Sequence, residues 1–176
     1  MCGCGEPTPT AKFRMRPLTE REKEIESLEK KFPKDADEYY QLASLYSEKE
    51  SESLTDQINI TLNITMAAKR GHPEAQNQLG FCYDNGVRTT GKNHAKAGEY
   101  YRLAAEQGLK DAQNNLGCWY FEGLGVEKNP VEAYAWVSIS GNSENTNAIA
   151  EELSDGQLSQ AKKRATELFE KYGSGK

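Results

Sequence analysis

The sequence predicts an all-α solenoid of three helix-turn-helix repeats with a capping helix at each end, and three observations carry that prediction. "AQNQLGFCYDNGV", Ala75 to Val87, returns thirty-seven positions later as "AQNNLGCWYFEGLGV", Ala112 to Val126, with small, large and aromatic residues in the same slots. Within each copy the apolar residues fall at i, i+4 and i+8, as Ala75, Leu79, Tyr83 and Ala112, Leu116, Tyr120, which marks one face of a helix rather than the alternation of a strand. The same shift aligns Leu42 with Leu79 and Leu116, and Tyr46 with Tyr83 and Tyr120, so a weaker copy comes first. Periods of this length belong to stacked helix pairs, each burying its apolar side against its neighbours.

The elements follow in order. Residues 1–18 read as a polar, Pro/Thr-containing tether, and residues 19–34 as a helix from Thr19 to Phe32, where Ile25, Leu28 and Phe32 share a face and Pro33 stops it. The first repeat, 35–71, keeps Leu42, Tyr46, Ala67, Ala68 and Gly71 but carries a polar stretch from Ser47 to Gln57. In the second, 72–108, and the third, 109–144, Gly86, Gly123 and Gly125 end the first helix and Gly108 ends a second one, because glycine takes the left-handed cap without a Cβ clash. Gly80 and Gly117 lie inside helices at a cost of about 1 kcal/mol each, which is understandable where another helix must come close. Asn93 and the Asn129-Pro130 pair read as helix starts. Residues 145–176 form a C-terminal capping segment, in which Leu158, Ala161, Ala165, Leu168 and Phe169 fall on one face between Ser154 and Tyr172.

Composition narrows the function. A net charge of −5 over 176 residues lacks the clustered cations that a nucleic-acid surface needs, so no nucleic acid is expected as partner. No apolar run approaches the ~18 residues of a membrane span. The two histidines, His72 at a joint between repeats and His94 at a helix start, read as joint and cap residues, since neither comes with a nucleophile and an orienting partner. Cys2 and Cys4 lack a second ligand pair, and no metal or cofactor is expected. Cys82 and Cys118 sit inside the repeats and read as buried thiols, a disulfide between them being the alternative. The sequons at Asn59 and Asn63 fall inside a predicted helix, and the pairs Asp35/Asp37 and Glu151/Glu152 read as solvated helix starts. Gly3-Cys4 looks like the junction of a bacterial lipoprotein. Cys4 would carry the lipid in the cell envelope or periplasm if translation starts further upstream, and otherwise the chain is cytoplasmic.

The stretch "AQNNLGCWYFEGLGVEKNPVEAYAWVSIS" resembles the Sel1-like repeat, a relative of the tetratricopeptide repeat. That pattern runs small-x3-Leu-Gly-x2-Tyr-x2-Gly-x-Gly-Val and then Ala-x2-Trp/Tyr-x3-Ala-Ala-x2-Gly. The second copy keeps Ala75, Leu79, Gly80, Tyr83, Gly86, Ala97, Tyr100, Ala104, Ala105 and Gly108 but replaces the turn with "NGVRTTGKN". The resemblance, strongest to bacterial members, implies a right-handed superhelix and a non-catalytic adaptor that binds a protein or peptide in its concave groove. It also leaves an alternative, the β-lactam-binding or hydrolysing activity linked to cysteine-rich relatives, whose cysteine pairs bridge the two helices of a repeat. The positions two after the repeated Ala, Asn77 and Asn114, are expected to line the groove and grip a peptide backbone, with Phe81, Asp84, Cys118 and Phe121 offering side-chain contacts.

Overall fold

A computed structural model describes residues 18–31, 34–48, 53–87 and 90–173; Cys2, Cys4, Phe32 and Pro33 lie outside the described residues. The described residues form nine helices and no strand: α1 (Glu20–Lys30), α2 (Ala36–Ser47), α3 (Leu54–Lys69), α4 (Pro73–Asn85), α5 (His94–Ala105), α6 (Lys110–Glu122), α7 (Pro130–Ser140), α8 (Ser143–Glu151) and α9 (Asp155–Tyr172). Each helix packs chiefly on its chain neighbours, with α2 on α3, α4 on α5 and α6 on α7 as the intimate pairs, while α9 skips α8 to lie on α7. This is an α-solenoid.

Local chemistry sets the helix starts. Thr19, Asp35, Ser53 and Ser154 each close a capping box with the acid or amide three residues on. Asn93 and Asn129 cap α5 and α7 through their side-chain oxygens, 3.0 and 3.1 Å from the amides of Lys96 and Glu132. His72 caps α4, its Nδ1 accepting from the Ala75 amide at 3.3 Å, and His94 is the first residue of α5. Ser53 thus ends the polar stretch of the first repeat earlier than Gln57, because its hydroxyl supplies the cap that nucleates α3.

The core is a row of small and large residues from successive pairs: Leu42, Ala67 and Ala75, then Leu79, Ala97 and Ala104, then Ala112, Leu116 and Ala135, all under 4% exposed. Gly117 is there for the reason its sequence position suggests, since a Cβ on it would sit 2.3 Å from Val137 Cγ2 and 2.9 Å from the Ala133 carbonyl oxygen on α7. Two buried glutamines, Gln76 and Gln113, tie the pairs together: their Nε2 atoms donate to the carbonyls of Ala68 (3.1 Å) and Ala105 (3.2 Å), each near the end of the preceding helix. Each amide adds a second donor to a carbonyl in the last turn of a helix, which also accepts from the backbone amide of Gly71 or Gly108 at 3.0 Å.

Three expectations change. The C-terminal segment holds two helices, because Asn142 caps an additional α8 through its side chain, which accepts from the Asn145 amide at 3.1 Å. Glu151 and Glu152 therefore close α8 rather than open a helix, and Glu152 stands 3.7 Å from Lys128. Phe169 leaves the apolar face and is 58% exposed.

Candidate functional site

The first helices of the pairs, α2, α4 and α6, present equivalent residues side by side, and a groove of about 500 Å³ opens across them. Its floor is Ala43 from α2, Ile60 and Ile64 from α3, and Cys82 from α4. Phe81, more than half exposed, and Val87 form an apolar wall; Ser44, Ser47, Asn77, Gln78 and Asn115 are the polar rim. Among the described residues none that lines the groove is charged, although 28% of the chain is.

Along the rim the side chains of successive repeats are hydrogen-bonded into a ladder. Gln78 Nε2 donates to the Tyr40 hydroxyl at 3.0 Å, Asn115 Nδ2 to Asn77 Oδ1 at 3.0 Å, and both Asn142 Nδ2 and Asn145 Nδ2 to Asn114 Oδ1 at 3.0 and 2.9 Å. An amide has two donors and an acceptor with two lone pairs, so the Asn77–Asn115 bond leaves donor and acceptor capacity on the pair whichever way the amides are turned. A peptide backbone offers the same two groups in return.

The six residues expected at the site separate. Asn77 and Phe81 line the groove. Asn114 is turned to the start of α8 by its two bonds, and Cys118 lies beside it, 3.6 Å from Asn145 Nδ2. Asp84 is held within its own repeat, its carboxylate 2.8 Å from His94 Nδ1, pinning the start of α5 to α4. Phe121 packs into the cluster of α7 and α8 with Lys128 Nζ 4.6 Å over its ring. For Asn114, Cys118 and Phe121 the physical reason is common: α8 covers the end of the row, so groove-facing positions of the third repeat become an interior joint. Gln78 and Asn115 were missed by one register step. The signal lay in their thirty-seven-residue spacing, which they share with Asn77 and Asn114.

The groove holds little that could react. Cys82 and Cys118 both lie on first helices and are not bonded to each other. Burial, with the Glu122 carboxylate nearby, pushes the Cys118 thiol above its usual range, which disfavours the nucleophilic thiolate. No cluster among the described residues has the make-up of a metal site.

Residues 73–109 and 110–142 match the family model of the Sel1 repeat. No curated protein matches the chain. Among solved structures, a protective antigen of uropathogenic Escherichia coli displaying an SLR fold is similar at 33% identity and a TM-score of 0.73, covering 79% of this chain and 31% of that one. A Sel1 repeat protein from Oxalobacter formigenes is similar at 26% identity and a TM-score of 0.59, covering 77% of this chain and 58% of that one. The present chain thus spans less than two thirds of either relative. The unit written at Ala75 and again at Ala112 is the Sel1 repeat, and the chain is a Sel1-like repeat protein.

Proposed function

We propose that this protein is a non-catalytic adaptor whose groove across α2, α4 and α6 holds an extended, uncharged stretch of a partner protein. Sel1 repeats are in general scaffolds for protein interaction, and the observation that carries the finer reading is the groove's make-up: an apolar floor, an exposed phenylalanine, and an amide pair with spare donor and acceptor capacity. An apolar side chain entering between α2 and α4 would cover Phe81 and the Ile60–Ile64 floor, while its backbone meets Asn77 and Asn115. A charged side chain is disfavoured against the described lining, since it would lose water there without gaining a counter-charge. The β-lactam alternative rests on cysteine pairs bridging the helices of a repeat, and the arrangement of Cys82 and Cys118 gives it no support.

The test is capture of partners from a lysate of the source cells by the wild type, by Phe81→Glu, and by an Asn77→Ala, Asn115→Ala double variant. Loss of the same partners in both variants, with unchanged circular dichroism, is the expected result. Capture that is indifferent to both moves the binding surface away from the groove, and turnover of a small substrate would end the adaptor reading.

A further inference from the structure

The second helices of the three pairs share a register, and one outward face differs among them in an informative way. Ile58, Leu62 and Met66 of α3 correspond to Ala95, Glu99 and Leu103 of α5 and to Val131, Ala135 and Ile139 of α7. On α7 these positions seat α9: Ala135 and Ile139 are buried in one cluster with Ala165 and Leu168, and Val131 packs into the cluster that holds Ala161. On α5 the first two are alanine and glutamate, both exposed. The repeat therefore folds with only an alanine and a charged residue at these two places, and where α7 has Val131 and Ala135 they receive another helix. On α3 they are apolar and open, Ile58 48% and Leu62 57% exposed, with Leu54 a turn earlier at 69%. The helix also lacks charge on this side: its acid, Asp56, is buried and its base, Lys69, is its last residue.

We propose that this face of α3 is the interface of a homodimer in which the α3 helices of two copies pack antiparallel. The pattern Leu54-x3-Ile58-x3-Leu62 reads the same from either end, so a two-fold axis at Ile58 sets Leu54 of one copy on Leu62 of the other, and the reverse. The antiparallel arrangement also sets the two helix dipoles against one another head to tail. Two copies of net charge −5 repel each other over most of their surfaces but not across this neutral face. A stripe of a few side chains covers less than the roughly 800 Å² per partner of a standard interface, so the dimer is weak and concentration-dependent.

Sedimentation velocity over a wide concentration series tests this, using the full chain with Cys2 and Cys4 changed to serine. The expected result is a shift from monomer towards dimer as concentration rises, and at least tenfold weaker association in Leu62→Glu. That substitution copies the second repeat, where Glu99 occupies the same place, so helix content and melting temperature should be unchanged. In the same background Ile58→Cys should form an intermolecular disulfide on oxidation much faster than Lys163→Cys on the exposed side of α9. A wild type that stays monomeric throughout, a dimer that Leu62→Glu leaves intact, or equal rates of cross-linking would each overturn the proposal.

Discussion

The two ends of the array are covered by helices of very different grip. At the N-terminal end α1 buries Ile25, packs Leu28 beside it, and otherwise holds on through its periphery: Arg21 to the Glu48 carbonyl at 3.2 Å, Glu24 to Gln41 at 2.6 Å, and Glu29 to the Tyr46 hydroxyl. At the C-terminal end α9 buries Ala161, Ala165 and Leu168, pairs Arg164 with Glu132 at 2.7 Å, and stacks Tyr172 on Trp136. Its last carbonyl, that of Tyr172, also accepts from the buried Gln113 at 3.3 Å. In a solenoid each unit is stabilised by its own packing and by its neighbours, so an unequal pair of covers means unequal stability along the row. The first repeat, with the groove on its flank, sits at the weaker end, and a binding surface is more adaptable there than in the core of the two Sel1 repeats.

Truncation breaks this comparison most severely. Removing residues 154–176 uncovers Ala135, Trp136 and Ile139 together, and the shortened chain is expected to aggregate or lose cooperative melting. Removing residues 1–31 uncovers about one isoleucine's worth of apolar burial, on the order of 1.5–3 kcal/mol, and should leave a soluble, folded array with a lowered melting temperature. Calorimetry of the two truncations reads the difference directly. Equal losses would show that α1 is as firmly seated as α9.

A smaller perturbation sharpens the same contrast inside the row. Gly80 and Gly117 are equivalent positions, but a Cβ on Gly117 meets Val137 at 2.3 Å and the Ala133 carbonyl at 2.9 Å, whereas one on Gly80 meets the Tyr101 ring at 2.8 Å and the Ala97 carbonyl only at 3.2 Å. A ring can turn and a backbone carbonyl cannot. Gly117→Ala should therefore destabilise by roughly 1–3 kcal/mol even after the helix-propensity gain of about 1 kcal/mol, and Gly80→Ala by clearly less. Urea unfolding of both variants checks the order, and the reverse order would place the tighter joint nearer the N-terminus.

What the sequence shows and hides follows from which contacts repeat. Ala75, Leu79, Ala112 and Leu116 recur because every pair must solve the same packing problem, so the helices and the close approaches at Gly80 and Gly117 are legible without coordinates. Contacts made once are not. Gly98 stands where the other repeats have Thr61 and Tyr134, and its reason is particular: a Cβ there would lie 2.2 Å from the Trp119 ring, which fills the place that Cys82 holds in the preceding repeat. Of the six residues expected in the groove, Asn77 and Phe81 line it, and two of its rim amides lie one position beyond the expected ones. A helix places adjacent residues about 100° apart, so the rim amides Gln78 and Asn115 and their neighbours Asn77 and Asn114 satisfy nearly the same spacing. That α8 would cover Asn114, Cys118 and Phe121 could not be read from a repeat, because α8 has no counterpart in the other copies.

The smallest expected effect concerns α1 and alkaline pH. Burial first, then the hydrogen bond to Glu29 and the negative charges of Glu29 and Asp56, raise the Tyr46 phenol above its ordinary value near 10. Burial and the charge of Asp84 likewise raise Tyr101 in the middle of the row. A phenol whose folded pKa exceeds its unfolded one keeps its contribution to stability below pH 10 and loses it as the pH rises through the folded value, because the unfolded chain gives up its proton first. For Tyr46 the loss falls on a particular joint. A phenolate beside the Glu29 carboxylate repels α1, the helix with the weaker grip, so α1 should leave α2 before the array opens. Both tryptophans, Trp119 and Trp136, are buried in the C-terminal half and report the array but not α1. Raising the pH from 9 to 12 should thus lower far-UV circular dichroism before it shifts the tryptophan emission maximum. Tyr46→Phe removes the ionising group and should bring the two transitions together; if the transitions already coincide in the wild type, the first cover is bound more tightly than the comparison of the two ends implies.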